Sequence, residues 1–72
     1  MPHYHFDLVS WKSIADQGGA DLADDIDAMD SADAMARRLL GERPSLRKQY
    51  YAILVTSDDG KEVCRLPLDI IH

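Results

Sequence analysis

Residues 50–68 read Tyr-Tyr-Ala-Ile-Leu-Val-Thr-Ser-Asp-Asp-Gly-Lys-Glu-Val-Cys-Arg-Leu-Pro-Leu, and they contain the strongest structural signal in the chain. Two runs, 50–57 and 61–68, are rich in residues that favour β-strands. Asp59-Gly60 lies between them, and this dipeptide readily adopts the positive φ angles of a two-residue type I′ turn. The segment therefore predicts an antiparallel β-hairpin.

A turn at Asp59-Gly60 also determines which residues of the two strands face one another. Three opposed pairs on one face are all apolar: Val55 with Cys64, Ile53 with Leu66, and Tyr51 with Leu68. Because turn chemistry and hydrophobic pattern agree, this face is predicted to pack against the rest of the domain. Pro67 has no amide hydrogen, which favours an edge strand or an unpaired position for it.

Residues 3–9 predict a half-buried strand, because apolar and polar side chains alternate there with a period of two. The apolar set is Tyr4, Phe6 and Leu8, and the polar set is His3, His5 and Asp7.

An α-helix is predicted over residues 31–40, because its apolar residues recur at helical spacing and form a single stripe. That stripe comprises Ala32, Met35, Ala36, Leu39 and Leu40. Asp30 or Ser31 is expected to cap the first turn. Gly41 is expected to end the helix in a left-handed conformation, and Pro44 prevents the helix from resuming.

The segment 10–25 carries a weaker pattern, with two adjacent glycines, many acids and few apolar residues, and we interpret it mainly as an exposed loop. Two different structures stay open for the residues that follow. Leu22, Ile26 and Met29 have helical spacing, which would extend the helix backwards. A short edge strand around Ile26 is equally compatible with the pattern.

These elements define a single α+β domain over residues 1–72: a small antiparallel or mixed sheet, made of the N-terminal strand and the C-terminal hairpin, with one α-helix packed on one face. The predicted core is Tyr4, Phe6, Leu8, Met35, Ala36, Leu39, Tyr51, Ile53, Val55, Leu66 and Leu68.

The opening Met1-Pro2-x-Tyr4-x-Phe6, the alanine-rich helix and the closing Tyr-x-Ile-x-Val, Asp-x-Gly and Leu-Pro-Leu motifs resemble a family of short bacterial proteins known as a domain of unknown function. The resemblance implies the same order of strand, helix and hairpin. It also implies a short glycine-bearing strand near residues 21–27, where this chain is rich in aspartate. It implies no activity.

Size and composition favour a soluble cytoplasmic protein that self-associates. A chain of 72 residues supports only a thin core, and domains of this size often gain stability from a disulfide, a metal or a partner. The only cysteine, Cys64, has no partner within the chain, which fits a reducing compartment. No signal peptide or membrane-spanning run is found. The net charge of −5 disfavours nucleic-acid binding.

The sheet face opposite the helix is predicted to be the functional surface. Its apolar centre is Tyr50, Leu54 and Val63, with Arg65 beside it, and exposed apolar area often marks a contact surface. We therefore expect a homodimer formed through this face. Two competing hypotheses are that the loop 10–25 folds back and covers it, or that it is an ordinary half-apolar surface.

Two kinds of chemistry are further hypotheses. His3, His5 and Asp7 share one face of a strand and offer metal ligands, with Cys64 or His72 as a fourth. Pro2 resembles the N-terminal proline base of small tautomerases, provided that Met1 is removed.

Nucleic-acid binding is a further hypothesis. A basic run begins within the helix and ends just before two tyrosines on which bases could stack. It comprises Arg37, Arg38, Arg43, Arg47 and Lys48. No cofactor motif is found.

Overall fold

The computed structural model describes residues 2–71. Its strands are β1 (His3–Val9), β2 (Ile14–Asp21), β3 (Ala52–Ser57) and β4 (Glu62–Pro67), and its α-helix is α1 (Asp25–Glu42). One short 3₁₀ segment, Pro44–Lys48, follows α1, and a second, Leu68–Ile70, follows β4. The strands form one antiparallel sheet in the order β2-β1-β3-β4. The predicted α+β architecture is thus confirmed.

One face of the sheet and one stripe of α1 form the core. The most buried positions on the helix are three alanines, Ala28, Ala32 and Ala36, all with 0 % exposure. Every predicted core residue belongs to this cluster or packs against it. The core also contains Ala28, Leu46 and Ile71, which were not predicted; they come from the first turns of the helix, from the first 3₁₀ segment and from the residue after the second.

The hairpin has the predicted register but not the predicted turn. Val55 pairs with Cys64 and Ile53 with Leu66. A type I′ turn is excluded, because Gly60 has a φ of 85° whereas Asp59 does not have a positive φ. The chain instead turns through three residues, closed by a hydrogen bond of 2.9 Å from the Ser57 amide to the Lys61 carbonyl.

A β-bulge explains why the register survives the longer turn. Val63 is an extra residue in β4 between the pairs Val55–Cys64 and Thr56–Glu62. The additional loop residue shifts the pairing by one, and the bulge shifts it back. The apolar residues of both strands therefore remain on the helix side.

The prediction of a loop over residues 10–25 was wrong, because Ile14–Asp21 forms the edge strand β2. The glycine-bearing strand implied by the family resemblance therefore exists, but it precedes residues 21–27 and contains Gly18 and Gly19. Its residues are mostly exposed and show no period of two. Glycine is also unfavourable in strands, so neither pattern nor propensity indicated it.

The helix is longer at its start than the stripe predicted, which confirms its backward extension and excludes a strand around Ile26. Asp24, rather than Asp30 or Ser31, is the N-cap, and its carboxylate accepts the Asp27 amide at 2.9 Å. The negative charges of the acidic residues at this end of α1 also interact favourably with the positive end of the helix dipole.

The predicted C-cap at Gly41 was wrong as well, since Gly41 lies in the last helical turn and has no positive φ. The helix ends at Glu42. Arg43 precedes Pro44, whose ring disfavours the α conformation in the residue before it. Arg43 accordingly has a φ of −137° and a ψ of 78°.

A buried tyrosine connects the sheet to the start of the helix. The hydroxyl of Tyr4, a residue with 2 % exposure, donates to Asp25 Oδ1 at 2.7 Å. This hydrogen bond, together with burial and the nearby carboxylate charge, raises the pKa of Tyr4 from 10.0 to about 12. The phenol therefore helps to set the position of α1 on β1.

Tyr4→Phe is expected to lower the Tm at neutral pH by roughly 4–8 °C, because one charge-assisted hydrogen bond is lost. The unfolded chain releases this proton near pH 10, whereas the folded chain keeps it until about pH 12. The stabilisation is therefore complete below pH 10 and declines as the pH rises towards 12. Thermal melts of both proteins across this range measure the effect.

The difference in Tm between the wild-type protein and Tyr4→Phe should become smaller as the pH rises from 10 to 12. Tyr50→Phe, measured at concentrations where the monomer prevails, is the control, because that side chain is exposed in the single chain and the change should leave the Tm unaltered. A constant difference up to pH 12 would show that the hydrogen bond does not shift the proton equilibrium.

Candidate functional site on the open sheet face

We call the sheet surface opposite α1 the open face. Its residues alternate with the core residues along each strand and lie side by side through the strand pairing. One row across the sheet runs Ile14, Val9, Ala52 and Pro67; the next runs Asp16, Asp7, Leu54 and Arg65; the third runs Gly19, His5, Thr56 and Glu62. The face is therefore apolar at one end and polar at the other.

The apolar end carries unusually exposed large side chains. Trp11 is 84 % exposed, Tyr50 83 % and Ile14 74 %. Trp11 and Tyr50 line a depression of about 360 Å³ together with the buried residues Val9 and Ala52. The hypothesis that segment 10–25 folds back over this face was therefore wrong, because Trp11 and Ile14 point into solvent and β2 lies beside β1 within the sheet.

Cations border the apolar end. Lys12 Nζ lies 5.5 Å from the centroid of the Trp11 ring, within range of a cation–π contact. Arg65 lines the depression on the β4 side, and Lys48 lines a neighbouring one beside Trp11 and Tyr50.

The β1–β2 side of the open face carries two histidine–carboxylate groups. His3 Nδ1 lies 2.9 Å from Asp21 Oδ1. One step further along the strands, His5 Nε2 lies 3.2 Å from Asp7 Oδ1 and 3.4 Å from Asp16 Oδ1. This side of the face is consequently rich in carboxylates, whereas the β4 side presents Arg65.

Of the predicted interface residues, Tyr50 and Arg65 are exposed and Leu54 is half-buried on the open face. Val63, the extra residue of the bulge, is half-buried and packs against the core cluster. The sequence pattern placed Trp11 and Ile14 in a loop that could cover this surface, and not on the surface itself. Their positions depend on β2, which the sequence pattern did not reveal.

The predicted metal ligands are divided between the two groups. His5 and Asp7 lie together, and the structure adds Asp16 from β2, whereas His3 pairs with Asp21. Cys64 faces the core side opposite Val55, where burial raises the pKa of its thiol. His72 lies outside the described residues.

The absence of a side chain at Gly19 leaves room for the His3 ring beside that group. A side chain at Gly19 would come within 2.7 Å of His3 Nε2 and 2.8 Å of the Tyr4 carbonyl oxygen. The His3 ring therefore covers the backbone of Gly19 and is directed towards Asp21.

Pro2, the candidate tautomerase base, lies immediately before β1 and is exposed. The single chain therefore provides none of the desolvation that would tune a proline base. Met1, whose removal the tautomerase hypothesis requires, lies outside the described residues. The Pro2 carbonyl accepts the Leu22 amide at 2.9 Å and so continues the β1–β2 pairing.

The basic run does not form a stacking platform with both tyrosines. Arg37 pairs with Asp33 at 2.9 Å, and Arg47 donates to the Ile71 carbonyl. Tyr51 packs against the core cluster, which leaves Tyr50 as the exposed ring.

The fold and the open face define a small α+β domain with a four-stranded antiparallel sheet, one covering helix and one uncovered face. The chain belongs to the DUF6894 family, a domain of unknown function, whose family model matches residues 3–69. This confirms the resemblance to an uncharacterised domain family. Searches of curated proteins and of solved structures gave no match. None of the helices within residues 2–71 combines the length and apolar character needed to cross a bilayer.

Proposed function

We propose that this protein is a small non-enzymatic interaction module that forms a homodimer through its open face. The observation that supports this most strongly is the exposure of Trp11 and Tyr50 around one depression, with the exposed Ile14 in the same apolar end of the face. Aromatic residues are enriched at the centres of protein interfaces, and a thin core gains stability from association. The dimer is expected to act in the bacterial cytoplasm, which the unpaired Cys64 and the family resemblance favour.

The face is a better contact surface than the sheet edges. Edge strands pair readily with other chains unless bulges or prolines interrupt them. Here Gln17 and Gly18 form a bulge in β2 opposite Phe6, and Val63 forms one in β4. Pro67 also removes an amide donor from the end of β4.

The charges of the open face fit a second copy of the same chain. We place a two-fold axis along the strands, between β1 and β3. This axis places the apolar row of one copy against the same row of the other copy. It also places β2 of each copy opposite β4 of the other. Asp16 of each copy then faces Arg65 of the other, and Asp7 lies one strand away, opposite Leu54. In such an isologous contact, the acidic and basic side chains of the two copies pair with each other, so no further partner is needed to neutralise them.

The size of the face indicates a weak dimer. Four strands spaced ~4.8 Å apart and roughly 20 Å long present about 400 Å² before side-chain relief is counted. A standard stable interface buries about 800 Å² on each partner. Association in the micromolar range is therefore expected, not a permanent dimer.

Sedimentation equilibrium from roughly 5 to 500 µM tests the proposal over the range expected for such an interface. The wild-type mass should rise from 8.1 kDa towards twice that value. The Trp11→Ser/Tyr50→Ser variant should remain monomeric. Ile26→Ser/Met29→Ser is the matched control, since these exposed residues lie on α1 and not on the open face. A wild-type chain that stays monomeric throughout overturns the proposal.

A charge exchange tests the two-fold arrangement. Arg65→Glu and Asp16→Lys should each weaken association by about 10-fold, because each places like charges opposite one another. The double variant should recover most of the loss. If the losses simply add, Asp16 and Arg65 do not face each other in the dimer.

A further inference from the structure

Three potential metal ligands converge on the open face between β1 and β2. They are His5 Nε2, Asp7 and Asp16, whose donor atoms all lie within 4.8 Å of one another. Along a strand, residues i and i+2 are ~7 Å apart at the backbone. The donor atoms of His5 and Asp7 nevertheless approach to 3.2 Å, because the two side chains lean towards each other.

Two of the three distances between the donor atoms suit a tetrahedral ion. Zn²⁺ binds imidazole nitrogen and carboxylate oxygen at ~2.0–2.2 Å, so neighbouring ligands of a tetrahedral site lie roughly 3.3–3.6 Å apart. His5 Nε2 lies 3.2 Å from Asp7 Oδ1 and 3.4 Å from Asp16 Oδ1. Two edges of the required tetrahedron are thus already formed.

The β2 bulge positions the third ligand. Gln17 and Gly18 oppose the single residue Phe6, so the strand bends immediately after Asp16. Gly18 permits this with a φ of 96°, and its amide donates to Asp16 Oδ1 at 2.6 Å. This hydrogen bond holds the carboxylate towards His5. Asp7, whose side chain is only 17 % exposed, is restrained by its position in the central strand β1.

We propose that His5, Asp7 and Asp16 bind a divalent transition-metal ion of the Zn²⁺ class. One imidazole and two carboxylates suit such an ion, whereas Mg²⁺ and Ca²⁺ prefer sites made of oxygen alone. Three protein ligands leave the fourth position to water or to a group from a bound molecule. The opposing explanation is that no ion binds and His5 Nε2–H donates to the two carboxylates instead.

Titration of the untagged chain with Zn²⁺ alone, followed by calorimetry, separates these explanations. The wild-type chain should bind one ion, while Mg²⁺ and Ca²⁺ at the same concentrations should give no signal. Co²⁺ should produce the visible absorption of a tetrahedral site. Asp16→Asn and His5→Gln should each weaken Zn²⁺ binding by at least roughly 10–100-fold, because loss of a ligand's hydrogen-bond partner alone costs that much and these changes remove the ligands themselves.

The neighbouring His3–Asp21 pair provides matched controls. His3→Gln and Asp21→Asn remove the same chemical groups one step along the same strands, and each should change affinity by less than about twofold. Cys64→Ser and His72→Gln exclude binding at the thiol or the terminus.

Binding is measured in the wild-type chain and in Trp11→Ser/Tyr50→Ser, because Asp16 is also proposed to face Arg65 of a second copy. Affinity retained in that variant assigns the site to the single chain, even if the homodimer proposal fails. Absence of Zn²⁺ binding in both proteins overturns the metal site, as does equal weakening by the His3 and His5 variants.

Discussion

Ile53→Ala is expected to remove about 2–5 kcal/mol from the free energy of unfolding. Ile53 is 0 % exposed and lies in β3 between Leu8 on β1 and Leu66 on β4. Its truncation leaves a cavity at the centre of the core, where neighbouring strands cannot close without losing their pairing. A domain of this length has a total stability of roughly 4–11 kcal/mol, so the loss is a large part of the whole. Urea denaturation measures it.

Leu54→Ala is the matched control for that substitution. Leu54 is the next residue in β3 but is half-buried on the open face. At protein concentrations where the monomer prevails, its truncation should lower the free energy of unfolding by less than Ile53→Ala does, because the space left by Leu54 opens to solvent and forms no enclosed cavity. Equal losses from both substitutions would contradict the assignment of the two sheet faces.

Ala32→Leu is expected to destabilise the protein by about 1–3 kcal/mol or more. Ala28, Ala32 and Ala36 all have 0 % exposure and form the stripe of α1 that contacts the sheet. Alanine allows close approach of the helix, and a leucine at the middle position has to displace either α1 or the strands beneath it. The variant should show a lower midpoint in urea and loss of near-ultraviolet circular dichroism.

Ala34→Leu on the exposed side of the same helix separates packing from helix propensity. Alanine and leucine have similar propensities, so this change should alter stability by no more than about 0.5 kcal/mol. A wild-type-like midpoint for Ala32→Leu would mean that α1 has free space above the sheet, contrary to the burial of its alanine stripe.

The hairpin shows how two local errors can leave a correct global prediction. The type I′ turn at Asp59-Gly60 was wrong, and the bulge at Val63 was not anticipated. The pairing of Ile53 with Leu66 was nevertheless correct. Hydrophobic burial fixes which face each strand presents, because a shift of one residue would expose every core side chain. Turn and bulge geometry adjust to that requirement.

The candidate metal site shows the opposite case. His5 and Asp7 are visible as neighbours in the alternating pattern of β1, but Asp16 is not. An Asp two residues before Gly18 indicates a local turn, and nothing in its spacing points to His5. The contact exists only because β2 pairs with β1 and is interrupted by a bulge at Gln17 and Gly18.

The sequence by itself determined the buried faces of β1, β3 and β4 and the apolar stripe of the helix, because periods of two and of about four residues are local properties of the chain. Only the tertiary structure established β2, the exposure of Trp11 and Ile14, and the meeting of His5, Asp7 and Asp16. β2 is an edge strand with little buried surface, so its residues carry no hydrophobic period. Its place depends on backbone hydrogen bonds to β1, which any sequence can form and which therefore leave little trace in residue type.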